Sequence, residues 1–396
     1  MLLKANKDGK CPSNYRPISL LSTTGKLFEK IISRRMQAHF VEIGFFNDWQ
    51  RAYLRKKEAS EHIYRIGEEI RLARAKGWMT SVVSLDVEKA FDSVWHDGIR
   101  YKLSGLDLPV KLVRLLSSFL TDRSIRVKTG DKLSEAVTLK AGTPQGSVLS
   151  PLLYLIYVND VPILPSNNCR GGQFADDLSL WTSYCNKRVV GMRLQRALTE
   201  IEKWCSKWRI KINVAKTQLT SFEKKRRQKL KLKLFNEDIV EQPSLTILGV
   251  TFEQSASYTL QCRAKAAKAM QRINLMKRLR GKTWGSSPAT LLRLYKQYVR
   301  PVLETGFAVT SRACKTARLL LMRAEYCALR VAMRLDKRTK IKELYRASNV
   351  MPLSRRLRLL RDKAVNRFGD SACMRELATT KQLLATTRRR RLNRTR

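Results

Sequence analysis

A chain of 396 residues with 43% hydrophobic and 8% aromatic content is long enough for two or three subdomains around a substantial core, which excludes the disordered class. Its 79 Lys and Arg against 33 Asp and Glu leave a formal charge of +46, more than solubility asks for, so a polyanionic partner is expected. Nucleic acid leads, because an anionic membrane surface would call for a basic amphipathic anchor or a lipidation signal, and neither is found.

The N-terminal MLLKANKDGK lacks the apolar stretch of a signal peptide. The longest apolar run, 148–158, is broken by Ser150 and Pro151 and is too short to span a membrane. Eight scattered cysteines with no CxxC pair and three histidines argue against a zinc site. The cysteines read as reduced, mostly core thiols, which predicts an intracellular protein of nucleus and cytoplasm.

In chain order, residues 1–25 form a basic entry segment, and Leu27, Ile31, Ile32 and Met36 recur at helical spacing from Lys26 onward. A second helix is predicted over 58–75, stopped at Lys76-Gly77. SVVSLDV (81–87) reads as a buried strand ending in an acidic residue. A helix over 109–120 precedes two strands, 124–129 and 135–139, around Thr129-Gly130-Asp131. The break at 142–146 leads into an apolar helix over 149–158. Residues 172–183 read as a hairpin with Asp176-Asp177 at its tip, and 189–208 as an amphipathic helix ending near Arg209. Strands follow at 211–214 and 218–222, then a basic hairpin around EKKRRQKLKLK and a short apolar strand over 245–252. From Thr259 the pattern is helical and basic, and this change of composition marks the clearest domain boundary. The terminal RRRRLNRTR is a charge run.

Three elements carry chemistry. Phe174-Ala175-Asp176-Asp177 sets two adjacent carboxylates at a strand-turn-strand tip, a pattern that suits a divalent metal, although an Asp-Asp dipeptide is more often a solvated turn. In SLDVEKAFDSVWHDGI, Asp86 ends the predicted strand and Phe91 follows five positions later. The carboxylate could hold a metal on a triphosphate while the ring sits beneath the incoming sugar and excludes a 2′-hydroxyl; an ordinary core role is the commoner fate of a lone Phe. AGTPQGSVLSP (141–151) places Gln145, a donor and an acceptor, between Gly142 and Gly146, which permit close backbone approach to a ligand, or simply form a loop before a helix.

In motif order, in the interval from aspartate to aromatic and in the glycine-glutamine-glycine loop, these elements resemble the palm of a reverse transcriptase. The resemblance is to non-LTR (LINE-type) retrotransposons, and within them to the Jockey-like group. It covers nearly the whole chain, from Lys7 to about residue 365. NYRPISLLSTTGKLFEKII (14–32) resembles the fingers motif, whose basic residue facing the triphosphate would be Arg16. WRIKINVAKT (208–217) is similar to the following palm motif, with Asn213 and Lys216 in the matching places. ILGVTF (247–252) resembles the primer-gripping hairpin, centred on Leu248 and Gly249. YKQYVRPVLETG (295–306) resembles the helical region beyond the polymerase core. Phe174, where retroviral and group II intron enzymes commonly have tyrosine, matches many LINE-type enzymes.

The resemblance implies an α+β right-hand polymerase: fingers over 1–80, and a palm with an antiparallel sheet and inserted fingers elements over 81–252. A helical thumb and α-helical C-terminal extension would follow over 253–365, then a basic tail over 366–396. It implies an RNA-directed DNA polymerase that extends a DNA primer, target DNA included, on an RNA template with dNTPs. Asp86, Asp176 and Asp177 would hold Mg²⁺, or Mn²⁺, in two-metal nucleotidyl transfer, with no covalent intermediate. Asp176 would bridge the metals and Asp177 support. Arg16, Phe91, Gln145 and Gly146 would bind substrate, and Lys216 would act as general acid near the pyrophosphate, a solvated lysine being the competing reading. Lys265, Lys268, Arg272, Lys277 and Arg280 would contact the template-primer backbone. The alternative is an inactive or truncated retroelement remnant that only binds nucleic acid, since no endonuclease segment precedes the fingers motif and no Cys/His knuckle or RNase H segment follows. An RNA-dependent RNA polymerase is disfavoured by Phe91, and a two-metal nuclease leaves the fingers motif and the glycine-glutamine-glycine loop unexplained.

Overall fold

The computed structural model describes residues 2–3, 8–11, 14–55, 57–163, 168–223, 229–281 and 284–369. A short pairing of β1 (Leu2–Leu3) with β2 (Tyr15–Arg16) precedes α1 (Thr23–Glu42), whose first turn is capped by the Ser22 hydroxyl accepting the Gly25 N–H. α2 (Ala59–Lys76) ends where Gly77 turns left-handed. β3 (Met79–Asp86), α3 (His96–Ser104) and α4 (Val110–Leu120) follow. Residues 124–138 form two nested pairs, β4 (Ser124–Ile125) with β7 (Val137–Thr138) and β5 (Lys128–Thr129) with β6 (Lys132–Leu133). Next come α5 (Ser150–Val158), β8 (Arg170–Phe174), β9 (Asp177–Tyr184), α6 (Lys187–Trp208) and β10 (Gln218–Phe222). Two hairpins, β11 (Leu232–Leu234) with β12 (Glu237–Ile239) and β13 (Ser244–Ile247) with β14 (Val250–Glu253), lead to α7 (Thr259–Arg280).

Beyond α7 the described chain is helical: α8 (Pro288–Leu294), a π-turn over Tyr295–Val299, α9 (Arg300–Glu304), α10 (Phe307–Thr310), α11 (Lys315–Ala332), α12 (Ile341–Ser348) and α13 (Leu353–Phe368). The widened turn lies just before Pro301, which has no N–H to return to the carbonyl four residues back.

The centre is a four-stranded antiparallel sheet in the order β10-β3-β9-β8. Side chains alternate across it. Val83, Leu85, Leu178 and Leu180 join one buried cluster with α1, α3, α5 and α6. Val82, Trp181 and Phe222 join the other, with α2, the β13–β14 hairpin and the C-terminal helices. The sheet is thus covered on both faces, with hydroxyls paired between strands, as Ser81 with Ser221 and Thr80 with Ser183, and its carboxylate-bearing end stands apart from these buried interiors.

Four sequence expectations change. Residues 211–214 do not form a strand: only Ile212 bridges to Val87, and Val214–Lys216 winds into a 3₁₀ turn because the Asn213 side chain accepts the Lys216 N–H. Residues 245–252 form a hairpin, turned by Leu248 and Gly249 at φ of 49° and 72°. The hairpin near 230–240 turns at Phe235-Asn236, both with positive φ, while the basic run 224–228, like the terminal charge run, lies outside the described residues. Finally, Cys169, Cys205 and Cys262 are buried, but Cys11, Cys185 and Cys314 are exposed. Among the described residues no helix is long and apolar enough to cross a membrane.

Candidate active site

Strand register brings the acidic residues together. Asp86, the last residue of β3, pairs directly across the antiparallel ladder with Asp177, the first of β9. Phe174 pairs with Asp177 as well, leaving Ala175 and Asp176 as the two-residue turn between β8 and β9. Ala175 sits at φ 57° and is buried. A residue with a Cβ avoids that region by roughly 1–2 kcal/mol, so the turn is held by its surroundings.

Burial raises the Asp177 carboxyl to about 6, helped by the negative charges of Asp176 and Asp86. Burial also raises Asp176, and Asp86 adds to the shift, while a backbone hydrogen bond and the positive charges of Arg16 and Lys216 oppose it. Arg16, exposed on β2, is therefore near enough to act on Asp176. The Lys216 ammonium donates to the Asp86 carboxylate at 2.9 Å. Both partners are open to solvent, with side-chain exposures of 66% and 34%, so the pair is worth at most about 1 kcal/mol and is readily exchanged.

Ser84, Gln218, Gln242 and Thr246 line the same open cleft, of about 370 Å³, as Asp86, Asp177 and Lys216. Sequence reasoning missed them. Gln218 is opposite Ser84 in the sheet, and its side-chain oxygen accepts the Thr246 N–H at 2.8 Å, tying the β13–β14 hairpin to the cleft wall. A strand position directly after the Asn213–Lys216 motif was the available signal.

The Phe91 ring is half-buried, 5.1 Å from Tyr154 and 6.5 Å from Tyr53, centroid to centroid. Tyr53 also went unnoticed in the sequence; it has φ 54°, and burial followed by the Asp176 charge raises its hydroxyl. The backbone of Phe91 accepts the Thr143 N–H at 2.7 Å, which binds the glycine-glutamine-glycine loop to the segment after β3.

That loop changes the reading of its glycines. A Cβ at Gly142 would lie 2.7 Å from the Asp92 carbonyl oxygen, and one at Gly146 would lie 2.9 Å from that of Ser19. Both have positive φ, 90° and 118°. The close approach they permit is to the chain's own backbone. The Gln145 carbonyl accepts the Ser19 N–H at 2.7 Å, and its side-chain amide donates to Asp92 at 2.9 and 3.0 Å. Glu29, buried on α1, completes the junction by accepting from the Ser147 hydroxyl and from the N–H groups of Val148 and Leu149 at the start of α5.

Among the described residues no three His, Cys, Asp or Glu side chains converge into a ready-made metal cluster. The donor chemistry nonetheless fits a divalent cation: hard carboxylate oxygens, partly buried, whose mutual repulsion a cation would relieve.

Residues 4–252 match the family model described as reverse transcriptase (RNA-dependent DNA polymerase). The chain belongs to the reverse transcriptase family. Among curated relatives, it is 29% identical over 326 residues to the probable RNA-directed DNA polymerase from transposon BS of Drosophila melanogaster, covering 80% of this chain and 36% of that one. The match to the probable RNA-directed DNA polymerase from transposon X-element of the same species is also 29%, covering 79% and 35%. The RNA-directed DNA polymerase from the mobile element jockey, again of D. melanogaster, is 25% identical, covering 80% and 35%. The chain thus spans about a third of the length of these relatives. A solved telomerase from Candida tropicalis, in complex with a fragment of telomeric RNA, aligns with a TM-score of 0.42 at 12% identity over 92% of this chain and 57% of that one.

In this family member the cations of α7 do not share one face. Cys262, Ala269, Ile273 and Met276 form the buried stripe, and Lys268 and Lys277 project half a turn apart around the axis. Arg272 is committed within the chain, donating to the Tyr298 carbonyl with its guanidinium 4.3 Å from that ring. Lys265 is half-buried, and burial, then the neighbouring Lys268, lowers its ammonium. Lys277 is exposed and donates to the Asn274 side chain, and Arg280 is half-buried.

Proposed function

We propose that this chain is an RNA-directed DNA polymerase of a non-LTR retrotransposon, extending a DNA primer on an RNA template with dNTPs. The observation that carries the reading is the register that sets Asp86 opposite Asp177 with Asp176 in the turn between strands, within a reverse transcriptase family member. Asp86, Asp176 and Asp177 would hold Mg²⁺, or Mn²⁺, which when bound supplies Lewis-acid activation of the primer hydroxyl and neutralises the leaving pyrophosphate.

The chain's own residues supply the rest. Asp176 and Asp177 would provide oxygen ligands, the Asp177 carboxyl raised by burial and by the charges of Asp176 and Asp86, and the Asp176 charge offset in part by Arg16 and Lys216. Lys216, resting on Asp86, would turn to the departing pyrophosphate and give it a proton. Arg16, beside Asp176, would take the triphosphate. Phe91, braced by Tyr154, would close the sugar site against a 2′-hydroxyl. Gln145 and Gly146 would shape the nucleotide site by fixing the loop on Ser19 and Asp92. Leu248 and Gly249, at the tip of a hairpin whose β13 borders the cleft, would support the primer end. Lys268 and Lys277 lead the candidates on α7 for phosphate contacts, with Lys265 and Arg280 at its half-buried edges. The domain assignment follows the same reading, with fingers over 1–80, palm over 81–252 and a helical thumb and extension over 253–365, in a protein of nucleus and cytoplasm.

The test is primer extension: purified protein, an RNA template annealed to a DNA primer, dNTPs and Mg²⁺. Templated extension is expected. Absence of product, with an established reverse transcriptase active in the same buffer, would defeat the reading.

A further inference from the structure

The segment 49–52 carries no strand-like pattern, yet it lies along the free edge of β8. Gln50 bridges Gln173 in parallel; the Arg51 N–H donates to the Gln173 carbonyl at 3.0 Å, and the Gln173 N–H to the Trp49 carbonyl at 2.9 Å. The segment is anchored from behind by the fully buried Arg51, whose guanidinium pairs with the buried Glu61 of α2 at 2.8 Å. Two glutamine side chains, 2% and 4% exposed, then reach the same residue. The Gln50 side-chain oxygen accepts the Ala52 N–H at 2.9 Å and the Ala175 N–H at 3.4 Å. The Gln173 amide donates to the Ala175 carbonyl at 3.1 Å.

Ala175 therefore has both backbone polar groups gripped by buried side chains while it occupies the left-handed region at φ 57°. Its conformation directs the next residue, Asp176. Backbone left in a disfavoured region persists only where its surroundings over-determine it, and such positions gather at working sites. Among the described residues the amide nitrogen of Gln50 has no hydrogen-bond partner, so this side chain serves here through its acceptor oxygen.

We propose that Gln50 and Gln173 form a clamp on Ala175 and act as positioning residues that fix the carboxylate of Asp176. The clamp rests on the reading of Asp176 as part of the reactive site. Neither glutamine touches substrate; each works through the backbone of the turn. A turn released from the clamp would relax toward ordinary φ and swing Asp176 away from the end of β3, leaving nucleotide contacts elsewhere intact.

The experiment compares wild-type protein with Gln50→Met and Gln173→Met, which keep length and apolar volume while removing the acceptor or the donor. Two readouts are taken. Hydrogen exchange of the peptide covering 170–184 reports the turn, and single-nucleotide primer extension reports kcat and KM for the dNTP. Expected is faster exchange confined to that peptide and its partner segment 47–53, with kcat lower by about tenfold, the scale of one lost hydrogen bond, and KM within roughly twofold. Ala175→Gly added to Gln50→Met should recover much of kcat, because glycine adopts the left-handed backbone without support.

Unchanged exchange in both variants overturns the clamp. So does a rise in KM at constant kcat, which marks direct substrate contact, and so does faster exchange throughout the protein, which marks a general stabilising role. If Gln50→Met fails to fold, Gln173→Met decides, since it removes a single contact. Should wild-type protein extend no primer, the catalytic reading fails, while the exchange data still pass or fail the clamp itself.

Discussion

Replacing Asp177 by Asn should make the metal-free protein more stable. In the fold its carboxyl is raised from 3.8 to about 6, first by burial and then by the charges of Asp176 and Asp86. A raised carboxylate value means that the folded state binds the proton more tightly than the unfolded state. The sign follows: the penalty is absent below pH 4, grows as pH rises through about 6, and is fully present above it. A difference of about two pH units sets a ceiling of roughly 3 kcal/mol. The cleft is open, and solvent and salt screening reduce this to about 1 kcal/mol. Urea unfolding in EDTA at pH 7.5 should therefore show Asp177→Asn more stable than wild type by about 1 kcal/mol, the gap closing as pH falls to 4. Adding Mg²⁺ should stabilise wild type more than the variant, because a cation binding only the folded state shifts unfolding by mass action. A variant equally or less stable at pH 7.5, or a gap that ignores pH, would show that burial and the neighbouring carboxylates do not penalise the ionised Asp177.

Phe91→Ala should raise ribonucleotide incorporation relative to deoxyribonucleotide, measured by single-nucleotide extension; an unchanged sugar preference removes the gate role. Glu29→Gln should lower unfolding stability by about 1–2 kcal/mol, because Glu29 accepts from Ser147, Val148 and Leu149 at the start of α5. Urea unfolding at neutral pH measures it, and a neutral substitution would contradict the junction described. Binding to an RNA–DNA hybrid should weaken with salt, with a logarithmic slope of roughly 0.7 to 0.9 per phosphate neutralised; a flat response would contradict an electrostatic origin for the binding in the +46 charge.

The first strand of the central sheet was legible in the sequence because it is short, β-branched and preceded by the helix stop at Gly77. SVVSLDV marked β3 to within two residues at each end, while the expected tip at Asp176-Asp177 lies one residue beyond the actual turn, Ala175-Asp176, because Asp177 already pairs with Phe174 as the first residue of β9. Helix ends carrying glycine or a left-handed residue were also readable, as at Gly77 and Arg209. What escaped was tertiary. The edge pairing of 49–51 has no local signature, since its partner Gln173 lies more than a hundred residues away. The glycines at 142 and 146 announce close approach but not whose backbone approaches. Residues 211–214 looked like a strand because Ile212 and Val214 alternate, and the Asn213 side chain, which caps the turn over Val214–Lys216, overrode that pattern. The lysine contact to Asp86 and the glutamine wall of the cleft likewise depend on the β10–β3 register, which single-strand periodicity does not specify.

The role of Asp176 as a reactive carboxylate is tested most directly by one paired measurement: Asp176→Ala, assayed for primer extension on an RNA template and for binding of the same template-primer in EDTA. Extension is predicted to fall to background while hybrid affinity stays within about twofold of wild type, since a single carboxylate adds nothing to phosphate contacts. Extension persisting at the wild-type rate would contradict the assignment.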